Sequence, residues 1–345
     1  MVFLNLRYCG ALHYLPNELG GLPSLTELLL DHSDIREIPD WWGTENLGNP
    51  HVQTSPSAKA GDSLNCLTSL VTLSLDRTLI THLPDSIGSL TNLECLSLKG
   101  CSQIEKLPYS IKELRSLTEL DLSHIGRTDL PDSMESLENL KALKLCMYES
   151  ADVSSLPKLP ESLTSLAFLS LRQIAFPDLS NLINLKLLML FVATVLEIPG
   201  PSELAWLGRL TKLEVLTLGF PSITNLPPEL GALPHLKTLQ LFNCFALECI
   251  PQIPSGVTKL HIGDCRSLTT LDISYLKNLS ELYVLGSPVE DLYGSELSDN
   301  LEERKISRDY GVGSRISFME IYYQGIPEAV RLRAKRRMCM LIQND

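Results

Sequence analysis

The chain has 345 residues, an apolar fraction of 44% with aromatics at only 6%, and a formal net charge of -12. Leucine dominates the apolar share, which suggests many small, alike core slots rather than one large mixed core. The acidic balance excludes a sequence-independent grip on nucleic acid, which needs basic surface; no apolar run approaches the roughly 20 residues that cross a bilayer.

The chain opens MVFLNLRYCGALHYLP, with no basic flank followed by a continuous apolar core, so it does not read as a signal peptide. Leu4, Leu6, Leu12 and Leu15 form a first, partial unit, and a full one starts at Leu22. From Leu67 the spacing Leu-x-x-Leu-x-x-Leu-x-Leu is regular. Leu67, Leu70, Leu73 and Leu75 make one unit, and Leu90, Leu93, Leu96 and Leu98 the next. Leu114, Leu117, Leu120 and Leu122 follow, then Leu137, Leu140, Leu143 and Leu145, with starts 23, 24 and 23 residues apart. Further units are read from Leu163, Leu182, Leu210, Leu233, Ile253 and Leu276, about twelve in all, the one at Leu163 closing early on Phe176-Pro177. A period of 20–29 residues with this spacing is that of leucine-rich repeats. The predicted fold over residues 1–292 is therefore an α/β leucine-rich repeat solenoid, a horseshoe with a parallel β-sheet on its concave face.

The physics of one unit follows from its spacing. Leu73 and Leu75 alternate with period two, so they mark a short strand with both leucines inward. Pairs such as Leu83-Pro84, Leu107-Pro108 and Leu226-Pro227 close the following turn, where proline's fixed φ and missing amide suit a helical start. The run after Pro84, DSIGSLTNL, is expected to form a short helix or 3₁₀ turn on the convex side. One unit cannot bury its leucines alone, and stacking supplies the shared core. Cys9, Cys101, Cys244 and Cys265 all fall three residues after the second strand leucine, where another unit has Thr78. That is the Asn/Cys position of the repeat, so these cysteines are read as turn residues bonded to neighbouring backbone rather than as metal ligands or nucleophiles. With nine cysteines and no sign of export, the cytoplasm is the expected compartment, the nucleus the alternative, and the thiols are expected to be reduced.

Two stretches break the period. Residues 41–66, rich in Gly, Ser, Asn and Pro, read as a surface-loop insertion whose base Trp41 and Trp42 could staple. Residues 293–345 read as a non-repeat tail ending in a basic helix, with five basic residues between Arg331 and Arg337. A catalytic role for Cys339 is not expected, because no second chemical group accompanies it. Neither end carries the polar cap that a solenoid needs, so the chain is expected to be a piece of something larger or a truncated product.

Residues beside the inward leucines face the concave surface. Early units present Glu27, Asp31, Thr72, Ser74, Asp76, Ser97, Lys99, Glu119 and Asp121, a polar and mostly acidic face. Later units are predicted to present Phe168 and Arg172, then Leu187, Met189 and Phe191, then Val215, Gln240 and Phe242. These eight are the candidate protein-binding residues, with an open apolar patch at Leu187, Met189 and Phe191 as its centre. The competing expectation is that an irregular unit near 192–205 shifts the register or folds over them. No paired-carboxylate, Ser/His/Asp or metal constellation stands out, and the seven histidines, among them His13, His32, His82 and His261, read as scattered surface or groove residues. No enzyme activity, cofactor or metal is expected.

LPDSIGSLTNLECLSLKGCSQIEKLP, LAWLGRLTKLEVLTL and GVTKLHIGDCRSLTTLDISYLKNLSELYVLGSP resemble the leucine-rich region of plant intracellular immune receptors, most closely the class with a Toll/interleukin-1-receptor-like domain and a nucleotide-binding domain. The resemblance covers roughly residues 1–292. It implies a recognition module that senses pathogen effectors or modified host proteins and holds a receptor off, with a protein ligand in the concave groove and the receptor's nucleotide-binding part as a further partner. No G-x-x-x-x-G-K-[ST] phosphate loop is present, and the tail's GVGSRIS lacks the lysine and spacing, so nucleotide binding does not carry over and a truncated form would be one lacking the nucleotide-binding domain. Nor does NAD cleavage, for which the chain has no domain. The alternative is a stand-alone leucine-rich repeat adaptor.

Overall fold

The computed structural model describes residues 2–39, 67–125, 130–147, 156–174, 178–195, 201–294 and 303–307. The insertion expected at 41–66 with Trp41 and Trp42, the basic stretch Arg331–Arg337 and Cys339 lie outside them. The chain divides into two compact units, residues 1–163 with Ser170–Arg172, and residues 164–169 with 173–345.

The first unit is built on β1 (Phe3–Asn5), β2 (Glu27–Leu29), β3 (Thr72–Ser74), β4 (Cys95–Ser97), β5 (Glu119–Leu122) and β6 (Ala142–Met147). Each pairs in parallel with the next, and the register sets Leu4, Leu28, Leu73, Leu96, Leu120 and Leu143 side by side. From Leu28 onward that row is sealed from solvent, as is the second row through Leu30, Leu75, Leu98, Leu122 and Leu145. The convex side is made of 3₁₀ turns, Asp85–Ser89, Tyr109–Glu113 and Asp132–Ser136. Pro84, Pro108 and Pro131 sit one residue before these turns, with φ of -71°, -69° and -70° and extended ψ. Proline therefore caps the turn rather than forming its first residue, and its missing amide leaves no donor stranded at the bend.

The second unit holds most of β7 (Ser165–Ile174), then β8 (Leu187–Val195), β9 (Val215–Gly219), β10 (Thr238–Phe242), β11 (Lys259–Gly263), β12 (Thr270–Asp272), β13 (Glu281–Leu285), β14 (Asp291–Tyr293) and β15 (Glu303–Ser307). Strands β8, β9, β10, β11, β13 and β15 pair in that order, all parallel. Strands β12 and β14 form a separate parallel pair. The main ladder thus gains a strand beyond residue 292, inside the segment expected to be non-repeat.

Two repeats start elsewhere than the leucine spacing suggests. Leu163 donates its amide to Pro160 O at 3.2 Å, as Leu140 does to Leu137 O at 3.0 Å. That repeat runs Pro160, Leu163, Leu166, Phe168. Likewise Val257 donates to Pro254 O at 3.1 Å, so that repeat starts at Pro254 rather than Ile253. In a regular unit the first leucine's amide closes the preceding 3₁₀ turn, as Leu90 does on Ile87 O at 3.1 Å. A proline in that slot has no amide to give, and neither of these repeats has such a turn before it among the described residues. The shift corrects Phe168: it is buried in the core, only 1% exposed, and does not face the groove.

After many of the strands the chain takes one left-handed residue, among them Tyr8 (φ 60°), His32 (57°), Arg77 (56°), Gly100 (76°), His124 (60°), Asn243 (56°) and Asp264 (54°). His32 and His124 therefore occupy equivalent places, contrary to the scattered reading. The next residue turns inward. Ser33 and Thr78 donate their hydroxyls to Leu30 O and Leu75 O. Cys101 lies 2.9 Å from Leu75 O, and Cys244 and Cys265 each reach the strand before, 3.8 Å from Leu218 O and Leu241 O. Burial pushes the Cys101 thiol up to about 11, against the lowering effect of its bonds to Thr78, so it stays protonated and donates. Cys9 reaches only its own repeat, 3.7 Å from Arg7 O.

Candidate protein-binding face

In the first unit, alternation puts Asp31, Asp76, Lys99 and Ser123 at the ends of the concave rows. The two aspartates do the same job one strand apart. Asp31 Oδ1 accepts the Ser74 hydroxyl and the Asp76 amide (3.3 Å), both on the following repeat. Asp76 Oδ1 accepts the Ser97 hydroxyl and the Lys99 amide (3.2 Å). Arg7 pairs with the other oxygen of Asp31. At Asp121 the pattern changes: it accepts its own repeat's Ser123 amide at 2.9 Å and the Lys144 ammonium at 3.3 Å. Burial alone would raise the Asp121 carboxyl, but Lys144 and Ser123 outweigh it and hold it below the usual carboxylate range. The acidic residues of this face are thus largely committed to bonding the sheet.

In the second unit three concave rows can be followed across the strands. The row nearest the strand starts is Leu187, Val215, Thr238, Lys259 and Glu281, in register from β8 to β13. All five are half-buried, and Lys259 and Glu281 form an ion pair. The middle row, Met189, Thr217, Gln240, His261 and Tyr283, changes from apolar to polar along its length. Thr217 donates its hydroxyl to Gln240 Oε1 at 2.8 Å, and Gln240 Nε2 lies 3.1 Å from His261 Nδ1. His261 Nε2 is 3.5 Å from Glu281 Oε2, and the Tyr283 ring meets the imidazole edge-on at 4.7 Å.

The third row is Phe191, Gly219, Phe242, Gly263 and Leu285. Aromatic rings and glycines alternate. A Cβ on Gly219 would overlap Phe191 Cδ1 and lie 2.5 Å from its Cε1, and one on Gly263 would lie 2.6 Å from Phe242 Cδ1. Each ring therefore lies over the glycine of the next strand. Ala167, Met189, Phe191 and Phe242 close into one buried cluster, with Leu169 and Leu187 packed against it.

The expected open patch is corrected here. Met189, Phe191 and Phe242 are 3%, 6% and 9% exposed, because glycine at two positions lets the rings lie down on the sheet and cover one another. Gln240 is buried too, in the hydrogen-bonded row. Of the predicted residues Leu187 and Val215 remain half-open, and the side chain of Arg172 lies outside the described residues. Sequence reading missed Lys259 and Glu281 and gave His261 no part beyond that of a surface or groove residue. Their signal was available, since each sits beside an inward residue in KLHIG or ELYVL. Among the described residues no group of three or more His, Cys, Asp or Glu could hold a metal, and no helix is long and apolar enough to cross a membrane.

The leucine-rich repeat region family matches residues 55–176. Disease resistance protein RPS6 of Arabidopsis thaliana is 32% identical over 81% of this chain and 23% of its own length. TMV resistance protein N of Nicotiana glutinosa is 27% identical over 76% of this chain and 19% of its own. The chain is a leucine-rich repeat region, similar to those of plant disease-resistance proteins. This leucine-rich repeat region spans about a fifth of the length of those relatives. In structure it is similar to the functional domain of InlJ from Listeria monocytogenes, described as including a cysteine ladder, with a TM-score of 0.55 at 18% identity over 84% of this chain and 55% of that one. A leucine-rich repeat protein of Leptospira interrogans gives 0.52 at 21% identity, over 92% and 93%. At these identities the likeness is one of fold.

Proposed function

We propose that the concave face of the second unit captures a protein ligand, a pathogen effector or a host protein, and that this capture is the sensing step of a disease-resistance-type receptor acting in the cytoplasm. The supporting observation is the row Leu187, Val215, Thr238, Lys259 and Glu281. It presents five half-open side chains at the fixed spacing of parallel strands, about 4.8 Å apart, apolar at one end and charged at the other. The buried Phe191 and Phe242 cluster beside it, against which Leu187 packs, holds that end of the row, so binding orders few side chains there. Partner choice then rests on matching an apolar contact at Leu187 and Val215 with a polar one at Lys259 and Glu281.

The experiment is capture of partners from plant extract by the intact chain and by two row variants, Leu187→Glu and Glu281→Lys. A convex control, Lys112→Glu, changes charge away from the row. The reading requires that one captured protein be lost with both row variants, kept with the control, and that far-UV circular dichroism stay the same throughout. Capture that survives both row variants removes the row from recognition.

A further inference from the structure

The left-handed residues that follow β2, β3, β4 and β5 line up as a row on one rim of the first unit: His32, Arg77, Gly100 and His124. The ladder fixes their spacing, because His32, Arg77 and Gly100 donate their amides to Asp76 O, Lys99 O and Ser123 O on the next repeat at 2.7–2.8 Å. Glycine at the third place shapes what stands beside it. A Cβ on Gly100 would lie 2.7 Å from Arg77 Cγ and 3.7 Å from Arg77 Cβ and Cδ. The exposed Arg77 side chain therefore lies over Gly100, along the rim from its own repeat towards His124 two repeats on. Lys99 stands on the groove side of the same spot, half-buried in the concave row.

The histidines register the positive field that results. His124 is held below its ordinary 6.5 by burial first and then by Lys99; Asp121 opposes, and Arg77 adds to the lowering. His32, on the other side of Arg77, is lowered by burial and then by Arg77. The carboxylates of these repeats are engaged with the sheet. Asp76 Oδ1 accepts the Ser97 hydroxyl and the Lys99 amide, and Asp121 accepts the Ser123 amide and the Lys144 ammonium. A guanidinium, an ammonium and an imidazole from three successive repeats thus surround one residue that has no side chain. A carboxylate has two oxygens, which the guanidinium fork takes; a phosphate monoester has a third for Lys99 or His124. Only one phosphate fits this charge, because the cations on either side, Arg7 and Lys144, are paired with Asp31 and Asp121.

We propose that Arg77, Lys99 and His124 form a binding nook over Gly100 for one phosphate monoester, the group carried by a phosphorylated serine or threonine of a partner protein. The site lies in the first unit, so it does not depend on the row from Leu187 to Glu281. A bound dianion cancels the field of Arg77 and Lys99, so His124 takes up a proton more readily and donates to the third oxygen. Phosphorylation of the partner, rather than its mere presence, then decides whether this rim is occupied.

Histidine ring NMR of the full chain, with the His124 signal assigned by His124→Asn, reads the site directly. The probes are acetyl-Gly-phosphoserine-Gly amide, its unphosphorylated form and triphosphate. The phosphopeptide is expected to bind in the millimolar range and to raise the midpoint of the His124 titration, while the unphosphorylated peptide leaves it in place. Arg77→Gln and Lys99→Gln are each expected to weaken binding about tenfold, the size of one charge-assisted hydrogen bond. Gly100→Asn keeps every charge and suits the left-handed position, which Asn243 fills in another repeat, but its side chain displaces Arg77. It is expected to weaken binding by about the same tenfold. Binding that Gly100→Asn leaves intact means a diffuse field and overturns the nook, as does a His124 midpoint that the phosphopeptide does not move. Triphosphate that binds more than about a hundredfold tighter than the phosphopeptide gives the site to a free polyphosphate and overturns the assignment to a phosphorylated partner.

Discussion

Removing the Phe191 ring tests the packing of the groove most sharply. As an exposed patch residue, Phe191→Ala would change stability by about 0.5 kcal/mol at most. At 6% exposure inside a cluster with Met189 and Phe242, the loss should be about 3–5 kcal/mol. Gly219→Ala should cost about 1–3 kcal/mol, since the new methyl overlaps the ring. With the ring already gone, the same methyl enters vacated space, its nearest remaining neighbour being Phe242 O at 3.0 Å. The Gly219→Ala step should then cost less, since only the contact with Phe242 O remains to be relieved and alanine restricts the unfolded chain more than glycine. The double-mutant cycle should therefore show coupling of about 1–3 kcal/mol in equilibrium urea unfolding. Additivity within about 0.5 kcal/mol would mean that the ring does not lie over the glycine, and the description of the third row would be wrong.

Two further outcomes follow from the slot and from the histidines. Brief alkylation of the native chain at pH 8 should label exposed Cys249 and spare Cys101, whose thiol is buried and held near 11; mass spectrometry reporting the reverse order would sink the slot assignment. Acid should destabilise the first unit. His32 and His124 are both lowered from 6.5, by burial first and then by Arg77 and Lys99 respectively, so below about pH 6.5 the unfolded chain binds protons that the folded chain refuses. Asp121 is also lowered, so its contribution is present above the ordinary 3.8 and disappears as pH falls through its folded value. Urea midpoints should decline from pH 7 towards 5 and again below 4, and His32→Asn with His124→Asn should flatten the first decline; a midpoint that rises between pH 7 and 5 would contradict this sign.

The regular repeats were legible because leucine at fixed spacing specifies both strand and inward face. Leu73, Leu75, Leu96 and Leu98 are all buried where the period puts them. The two misplaced repeat starts share one cause, a slot filled by a residue with different local chemistry. Pro160 and Pro254 stand where leucine usually does, since a turn carbonyl is all that the slot requires, and counting leucines then slides Phe168 onto the wrong face. The groove cluster was hidden for another reason. Phe191 and Phe242 look exposed in isolation, and only the cross-strand register sets each beside a glycine that lets the ring lie flat. His32 and His124 become equivalent once the left-handed position after their strands is recognised.

The bonds of Asp31 and Asp76 are directional: each offers a carboxylate to the repeat after it, and the Asp76 repeat also receives one from the repeat before. A repeat of this kind is interchangeable with its neighbour. Excising the 23 residues from Thr72 to Glu94 would bring Asp31 opposite Ser97 and the Lys99 amide, the same hydroxyl and amide that it meets now on Ser74 and Asp76. Gene rearrangements that remove or copy one such unit leave no carboxylate stranded at the seam. Along this stretch repeat number can drift between relatives while the sheet stays bonded, and the groove lengthens or shortens without being rebuilt.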